Sequence, residues 1–271
     1  MTTVTEAPHY ALHHGWTHER RRLGLLEEVF DPYSRERLET VGVGPGARCL
    51  ELGAGAGSMA RWLCGRVGPG GHVTATDLGV EWLQDLDEPN LTVLRHDLLA
   101  DDFPKGGFDL IHARALFEHL DGRDAALEGV VDWLAPGGWL VIEDFDRLSI
   151  EHSSSPFARA FRTVLDTLSL AGADYYWARS FPAPLVRAGL DHVDGRADIP
   201  VTRGATPIAE LLGLTIESLA ERSIEAGLIS ADEINAALGW LAEPTSWDLA
   251  PAFMGAWGQK PSAPGPSVAV A

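Results

Sequence analysis

One run of ten residues limits the fold more than any other: Cys49-Leu50-Glu51-Leu52-Gly53-Ala54-Gly55-Ala56-Gly57-Ser58. Apolar residues lead to an acid, three glycines alternate with alanines, and an apolar helical period starts at Met59. The pattern predicts a buried strand, a tight turn and a helix. Glycine is needed where backbone turns sharply or touches a ligand, because a Cβ would clash. The spacing is G-x-G-x-G, with an acid two residues before the first glycine. It differs from the G-x-G-x-x-G of dinucleotide-binding turns.

Around this run the chain alternates strand and helix periods. Strands are predicted over 48–52, 72–76, 91–95, 108–113 and 139–142, the last ending at Glu143-Asp144. Helices are predicted over 58–67, 80–86 and 123–134, with turns at Gly68-Pro69-Gly70-Gly71 and Pro136-Gly137-Gly138. Such alternation implies an α/β fold with a mostly parallel sheet covered by helices on both faces. Ahead of it, residues 10–40 carry helical signals. Asp31-Pro32 is expected to break that helix, with a second helix over 34–41. Beyond the fifth strand, helices are expected over 156–170 and 183–188, a strand over 192–201, helical structure over 206–243 and a last strand over 252–257. Residues 1–9 and the Pro/Ser/Ala-rich tail 261–271 are expected to be disordered.

Charge excludes some functions. Asp plus Glu outnumber Lys plus Arg by 39 to 21, a net charge of -18, which repels phosphate backbones and argues against a nucleic-acid partner. The only cysteines, Cys49 and Cys64, lack C-x-x-C spacing and read as buried thiols. His13, His14 and His18 have no matching ligand partner, so no metal is expected. No apolar run approaches the roughly 20 residues of a membrane span, and no basic-then-apolar leader is seen, so a cytoplasmic protein without a membrane partner is expected.

In open parallel sheets ligands bind beyond the carboxyl ends of the strands. The polar residues there are Glu51, Asp77, Asp97, Arg114 and the Glu143-Asp144 pair, a largely acidic set that suits a cationic, hydroxyl-rich ligand. Asp77 can accept from a ribose, can cap a helix, or can serve a nicotinamide cofactor. Asp97 can bind a ligand or sit solvated in a loop.

Four ordered motifs over about residues 45–145 resemble the class I S-adenosylmethionine-dependent methyltransferases: the Glu51-to-Gly57 loop, Asp77, His96-Asp97-Leu98, and Ala113-Arg114-Ala115-Leu116-Phe117-Glu118-His119-Leu120, followed by Leu134-Ala135-Pro136-Gly137-Gly138. The N-terminal segment from Trp16 to Arg20, the 206–243 stretch and the 251–258 ending resemble a small-molecule, secondary-metabolite subgroup. The resemblance implies a Rossmann-like seven-stranded sheet with an antiparallel last strand. It also implies an N-terminal helical lid over 1–40 and a cofactor-binding domain over 41–260 that carries the 206–243 helical insertion.

The resemblance further implies S-adenosylmethionine as cofactor, S-adenosylhomocysteine as product and a small-molecule acceptor, in a monomer or homodimer. The implied cofactor residues are Glu51, Gly53, Ala54, Gly55, Gly57, Asp77, Leu78, His96, Asp97, Leu98, Ala113 and Arg114. Tyr10 and Arg22 are candidates for the methionine carboxylate, although a charge run on a helix also reads as solvated surface. His119 is either a general base or a packing histidine. Trp16, Tyr175, Tyr176 and Trp177 are candidates to stack on an acceptor or to fill the lid core. A non-methylating enzyme of the same fold, such as a cyclase, decarboxylase or hydroxylase, carries the same motifs. A nicotinamide oxidoreductase and a non-catalytic cofactor-binding subunit are the other readings.

Overall fold

The structure is a computed structural model that describes residues 16–262. Seven strands form one sheet in the order β3-β2-β1-β4-β5-β9-β6: β3 (Leu91–Arg95), β2 (His72–Asp77), β1 (Arg48–Leu52), β4 (Phe108–Arg114), β5 (Leu134–Asp146), β9 (Ala252–Gln259) and β6 (Asp191–Asp198). The pairings from β3 through β5 are parallel, and β9 runs antiparallel to both of its neighbours. Strand order reverses between β1 and β4, so the loops after these strands open a crevice at one edge.

Alternation along each strand decides what each face meets. Leu50, Leu52, Ile111, Leu140 and Ile142 pack beneath α3 (Arg123–Trp133) and α5 (Ala183–Arg187). Cys49, Leu110 and Val141 face the other way, against α2 (Ser58–Val67) and the C-terminal half of α1 (Glu19–Val41). A second core lies above the crevice. There α4 (Pro156–Leu170), α6 (Pro207–Glu225) and α7 (Ala231–Ala242) bury Phe157, Phe161, Leu165, Leu212, Ile216 and Leu241 together. A two-stranded ribbon, β7 (Val201–Arg203) with β8 (Trp247–Leu249), flanks these helices. Among the described residues no helix is long and apolar enough to cross a membrane.

The predicted seven-stranded, mostly parallel architecture stands, and several local expectations do not. Pro32 does not break α1, which runs unbroken over 23 residues. An interior proline costs a helix about 3 kcal/mol, but neighbours on both sides hold this one in place. Asp31 accepts from Ser58 Oγ at 3.0 Å and Arg114 Nη1 at 2.9 Å, and Phe30 and Leu38 are buried. The 80–86 stretch holds no helix, only turns over 81–85. A segment this short gains little from helical bonds. Packing decides it: Leu83 and Leu86 close over Gly57, where a Cβ would lie 2.6 Å from Leu86 Cδ1.

Pro136-Gly137-Gly138 is not a free turn but lies within β5, at a register irregularity opposite Phe108 and Leu110. A Cβ on Gly138 would come 3.0 Å from the Phe108 carbonyl oxygen, so the strand can approach β4 only with glycine there. Consequently Glu143 and Asp144 sit inside a 13-residue strand, not at its end. The predicted strand over 192–201 divides between β6 and β7, and the 206–243 stretch is two helices.

Candidate functional site

The crevice at the switch point is a pocket with a polar floor and an apolar roof. Its floor begins with the loop after β1. Gly53 and Gly55 have φ of 64° and 57°, which a side chain disfavours. A Cβ on Gly55 would meet nothing within 4 Å, so open space, not the protein's own packing, lies beside this glycine. Asp77, at the end of β2, fixes the loop by accepting from Gly55 N at 2.9 Å and Gly79 N at 3.0 Å. Asp97 accepts from Leu99 N at 3.0 Å, and its own N–H donates to Asp101.

Beyond β4, Ala115 adopts a left-handed φ of 51°, a conformation that costs a non-glycine residue energy and is retained where surroundings enforce it. Its N–H donates to the Glu143 carbonyl at 2.7 Å. Asp144 accepts from Leu116 N at 3.0 Å and Glu118 N at 3.2 Å, tying the same segment to β5. Burial, and next the charge of Glu118, push the Asp144 carboxyl well above its ordinary range. The Glu118 carboxylate accepts from Phe145 N at 2.6 Å and stands 3.4 Å from His119 Nε2. His119 and Tyr175 meet edge to face at 5.9 Å, both on the pocket wall.

The roof is Leu23, Leu26 and Phe30 of α1, Phe161, Leu165 and Leu168 of α4, and Leu211, Leu212 and Thr215 of α6, with Phe145 below. It brings together two ends of the chain, and an exposed bidentate pair, Arg21 to Glu210, bridges α1 and α6.

Behind the floor lies a buried chain of charge. Register places His112 of β4 directly beside Glu51 of β1, on the face covered by α1. His112 Nδ1 lies 2.7 Å from Glu51 Oε2, and Nε2 lies 3.1 Å from Glu143 Oε2. Glu143 also accepts from Arg37 Nη1 at 2.6 Å and from the Ser34 hydroxyl. Burial alone would lower the His112 pKa, but the charges of Glu51 and Glu143 and the bonds to them raise it to about 9. Burial alone would raise Glu143, but His112 and then Arg37 hold it down to about 2.

The sign of the pH dependence follows. The His112 contribution is full below its ordinary value of 6.5 and is lost as pH rises through about 9. That of Glu143 is full above 4.5 and is lost as pH falls through about 2. Raising pH from 6 to 10 is expected to remove about 2–3 kcal/mol of stability through this histidine. Thermal melts across that range check it: the wild type should lose several degrees more than His112→Asn, and parallel curves would refute the assignment.

The family described as "Methyltransferase domain" matches residues 18–192. The chain belongs to the methyltransferase domain family. It is similar to methyltransferase str2 of Strobilurus tenacellus, 31% identical over 129 residues that make up 47% of this chain and 46% of str2. It is also similar to methyltransferase GfsG of Streptomyces halstedii, 28% identical over 191 residues, 66% of each chain. The chain thus spans about half to two thirds of the length of these relatives. Among solved structures, the YcgJ protein from Bacillus subtilis shares the fold with a TM-score of 0.57 at 17% identity, covering 90% of this chain and 100% of YcgJ.

Within this methyltransferase domain the predicted residues divide. Glu51, Gly53, Ala54, Gly55, Asp77, Leu78, His96, Asp97, Leu98, Arg114, His119, Arg22 and Tyr175 meet at one pocket. Gly57 and Ala113 are not on its wall: Gly57 packs under Leu83 and Leu86, and Ala113 is buried in β4. His96 lines the pocket but stacks its ring on Phe103 at 4.6 Å, with both ring nitrogens buried and, among the described residues, without a hydrogen-bond partner. Burial lowers its pKa, which favours the neutral ring. Arg22 is not a solvated surface charge, since it is 5% exposed and bidentate to Glu19.

Trp16, Tyr176 and Trp177 stand off the pocket wall. Trp16 packs on His18, Tyr176 lies between the Arg147 and Arg179 guanidinium groups, and Trp177 fills the core beside Phe117 and Phe181. Tyr10 lies outside the described residues. Among the described residues no cluster could hold a metal ion.

The sequence reading missed His112, Arg37, Ser34 and Glu27. A polar side chain inside the apolar run Phe108-Asp109-Leu110-Ile111-His112 was the available signal for His112. Glu27 accepts from Ser58 N at 3.1 Å at the pocket edge, and burial pushes its carboxyl up.

Proposed function

We propose that the protein transfers a methyl group from S-adenosylmethionine to a small, largely apolar acceptor. The reading rests on one observation above the rest: the glycine loop stands open at Gly55, beside the Asp77 carboxylate that holds it by accepting from Gly55 N and Gly79 N. In this reading Asp97 accepts from the adenine amino group and Glu51 from the methionine ammonium. Bound there, S-adenosylmethionine would supply an activated methyl on a sulfonium.

The chain's own contribution is orientation and exclusion of water. Helices α1, α4 and α6 supply the apolar roof that would shield an acceptor, an aromatic or polyketide-like molecule in this reading. In the same reading α1, α4, α6 and α7 act as a lid on a cofactor-binding domain. In this reading His119, beside Glu118, takes a proton from the acceptor, a role worth about 10²–10⁴-fold.

Calorimetric titration with S-adenosylmethionine and S-adenosylhomocysteine tests the reading. Micromolar binding of both is expected, and folded protein that binds neither overturns it. With an acceptor in hand, His119→Ala should cut turnover about 100-fold or more while leaving S-adenosylhomocysteine affinity within a factor of about two. Full turnover would remove His119 as the base.

A further inference from the structure

The floor of the pocket carries a carboxylate that is held from behind. Glu51 is 3% exposed, and its Oε2 is taken by His112 Nδ1 at 2.7 Å. Among the described residues Oε1 takes no hydrogen bond, and Glu51 lines the pocket. A glutamate's terminal torsion is broad and roughly two-fold, so an unheld Glu51 would sample several orientations. His112 cannot move to follow it. The ring is fully buried, and its other nitrogen is fixed at 3.1 Å by Glu143. Glu143 is fixed in turn by Arg37 and Ser34, and Arg37 by Asp198 and the Phe253 carbonyl. The chain runs from one helix through three strands and ends at the Glu51 carboxylate on the pocket wall.

We propose that His112 is a positioning residue, which holds the Glu51 carboxylate so that Oε1 is presented to a ligand ammonium group. The proposal rests on the S-adenosylmethionine reading, in which that ammonium belongs to the methionine end. Its chemistry is specific: a held, ionised carboxylate favours a cation over the same ligand lacking one. The groups around the ring are Glu51 from β1, Glu143 from β5, Arg37 and Asp31 from α1, and Arg114 two residues along β4. Asp31 and Arg114 pair with each other at 2.9 Å, Arg37 takes Glu143, and His112 is the basic group seen to contact Glu51 among the described residues.

The test compares S-adenosylhomocysteine with its deaminated analogue, in which hydrogen replaces the amino group. Wild type is expected to prefer S-adenosylhomocysteine by at least tenfold. In His112→Gln that preference should fall to within about threefold, while affinity for the deaminated analogue stays near its wild-type value. Glu51→Gln should lose the preference too, and the double variant should lose no more.

Equal weakening of both ligands in His112→Gln would show a merely structural role and overturn the proposal. An unchanged preference, or a wild type that does not distinguish the two, would overturn it as well. A folded wild type that binds neither ligand overturns the S-adenosylmethionine reading, a separate outcome. If His112→Gln does not fold, the wild type labelled with ¹⁵N-histidine decides. Saturation with S-adenosylhomocysteine should move the His112 ring resonances clearly more than saturation with the deaminated analogue does, and equal movement overturns the proposal.

Discussion

Arg37→Met is expected to lower stability by about 3–5 kcal/mol, because it strands a buried charge. Arg37 is 2% exposed, and the carboxylate it holds at 2.6 Å, Glu143, is fully buried. Its guanidinium also lies 4.5 Å from the Phe253 ring centroid and donates to Asp198. The fold is built around this side chain. A Cβ on Gly255 would come 2.3 Å from Arg37 Nε, so β9 needs glycine where the arginine crosses it. Methionine keeps the apolar stem and removes the charge, which isolates the electrostatic loss from loss of packing. The midpoint of thermal unfolding should fall by about 10 °C. Adding Glu143→Gln, which removes the stranded charge, should restore part of the loss. A fall below about 1 kcal/mol in Arg37→Met would show that the pair contributes little beyond its own desolvation.

Asp77→Ala is expected to weaken S-adenosylmethionine binding by about 100-fold or more. Two hydrogen bonds to a charged carboxylate contribute about 1.5–3 kcal/mol each, and 1.4 kcal/mol is tenfold in affinity. A second loss adds to the first, because Asp77 also holds the N–H groups of Gly55 and Gly79 and so fixes the loop. Calorimetry measures the change, with a thermal melt to confirm folding. Asp77→Asn, which can still accept from the loop through one oxygen, should fall between wild type and alanine. A loss smaller than about tenfold in Asp77→Ala would remove the ribose assignment.

The sheet was legible in the sequence because its signal is local. Apolar runs of four to six residues ending in acids, separated by glycine turns, specify parallel strands without knowledge of any neighbour. The glycine loop was legible for the same reason. What escaped was decided by contacts distant in sequence. Pro32 reads as a helix breaker until Ser58 and Arg114 are seen to hold Asp31 beside it. Residues 80–86 read as a helix until Leu83 and Leu86 are seen to pack over Gly57. Tyr175, Tyr176 and Trp177 form one aromatic run, yet one faces the pocket, one the surface and one the core. His112 shows the limit most clearly. A lone histidine in an apolar strand acquires meaning only when register sets it between Glu51 and Glu143, which lie 61 and 31 residues away.

Helix α1 is fastened very unevenly along its length, and this sets the route by which the pocket can open. Its second half is riveted to the sheet through Asp31, Ser34 and Arg37, so moving it as a rigid rod would break several buried ion pairs at once. Its first half meets α6 through Leu25 and Leu211 and through one solvent-exposed pair, Arg21 with Glu210. Exposed pairs of this kind are worth about 0–1 kcal/mol. Among the described residues the polar contacts seen from α1 to the sheet thus lie from Asp31 onward, next to Pro32, which supplies no N–H to the helix, while the seam with α6 is apolar apart from that exposed pair. Any opening of this chamber is therefore expected at the front of the helix, with its back anchored by the buried ion pairs.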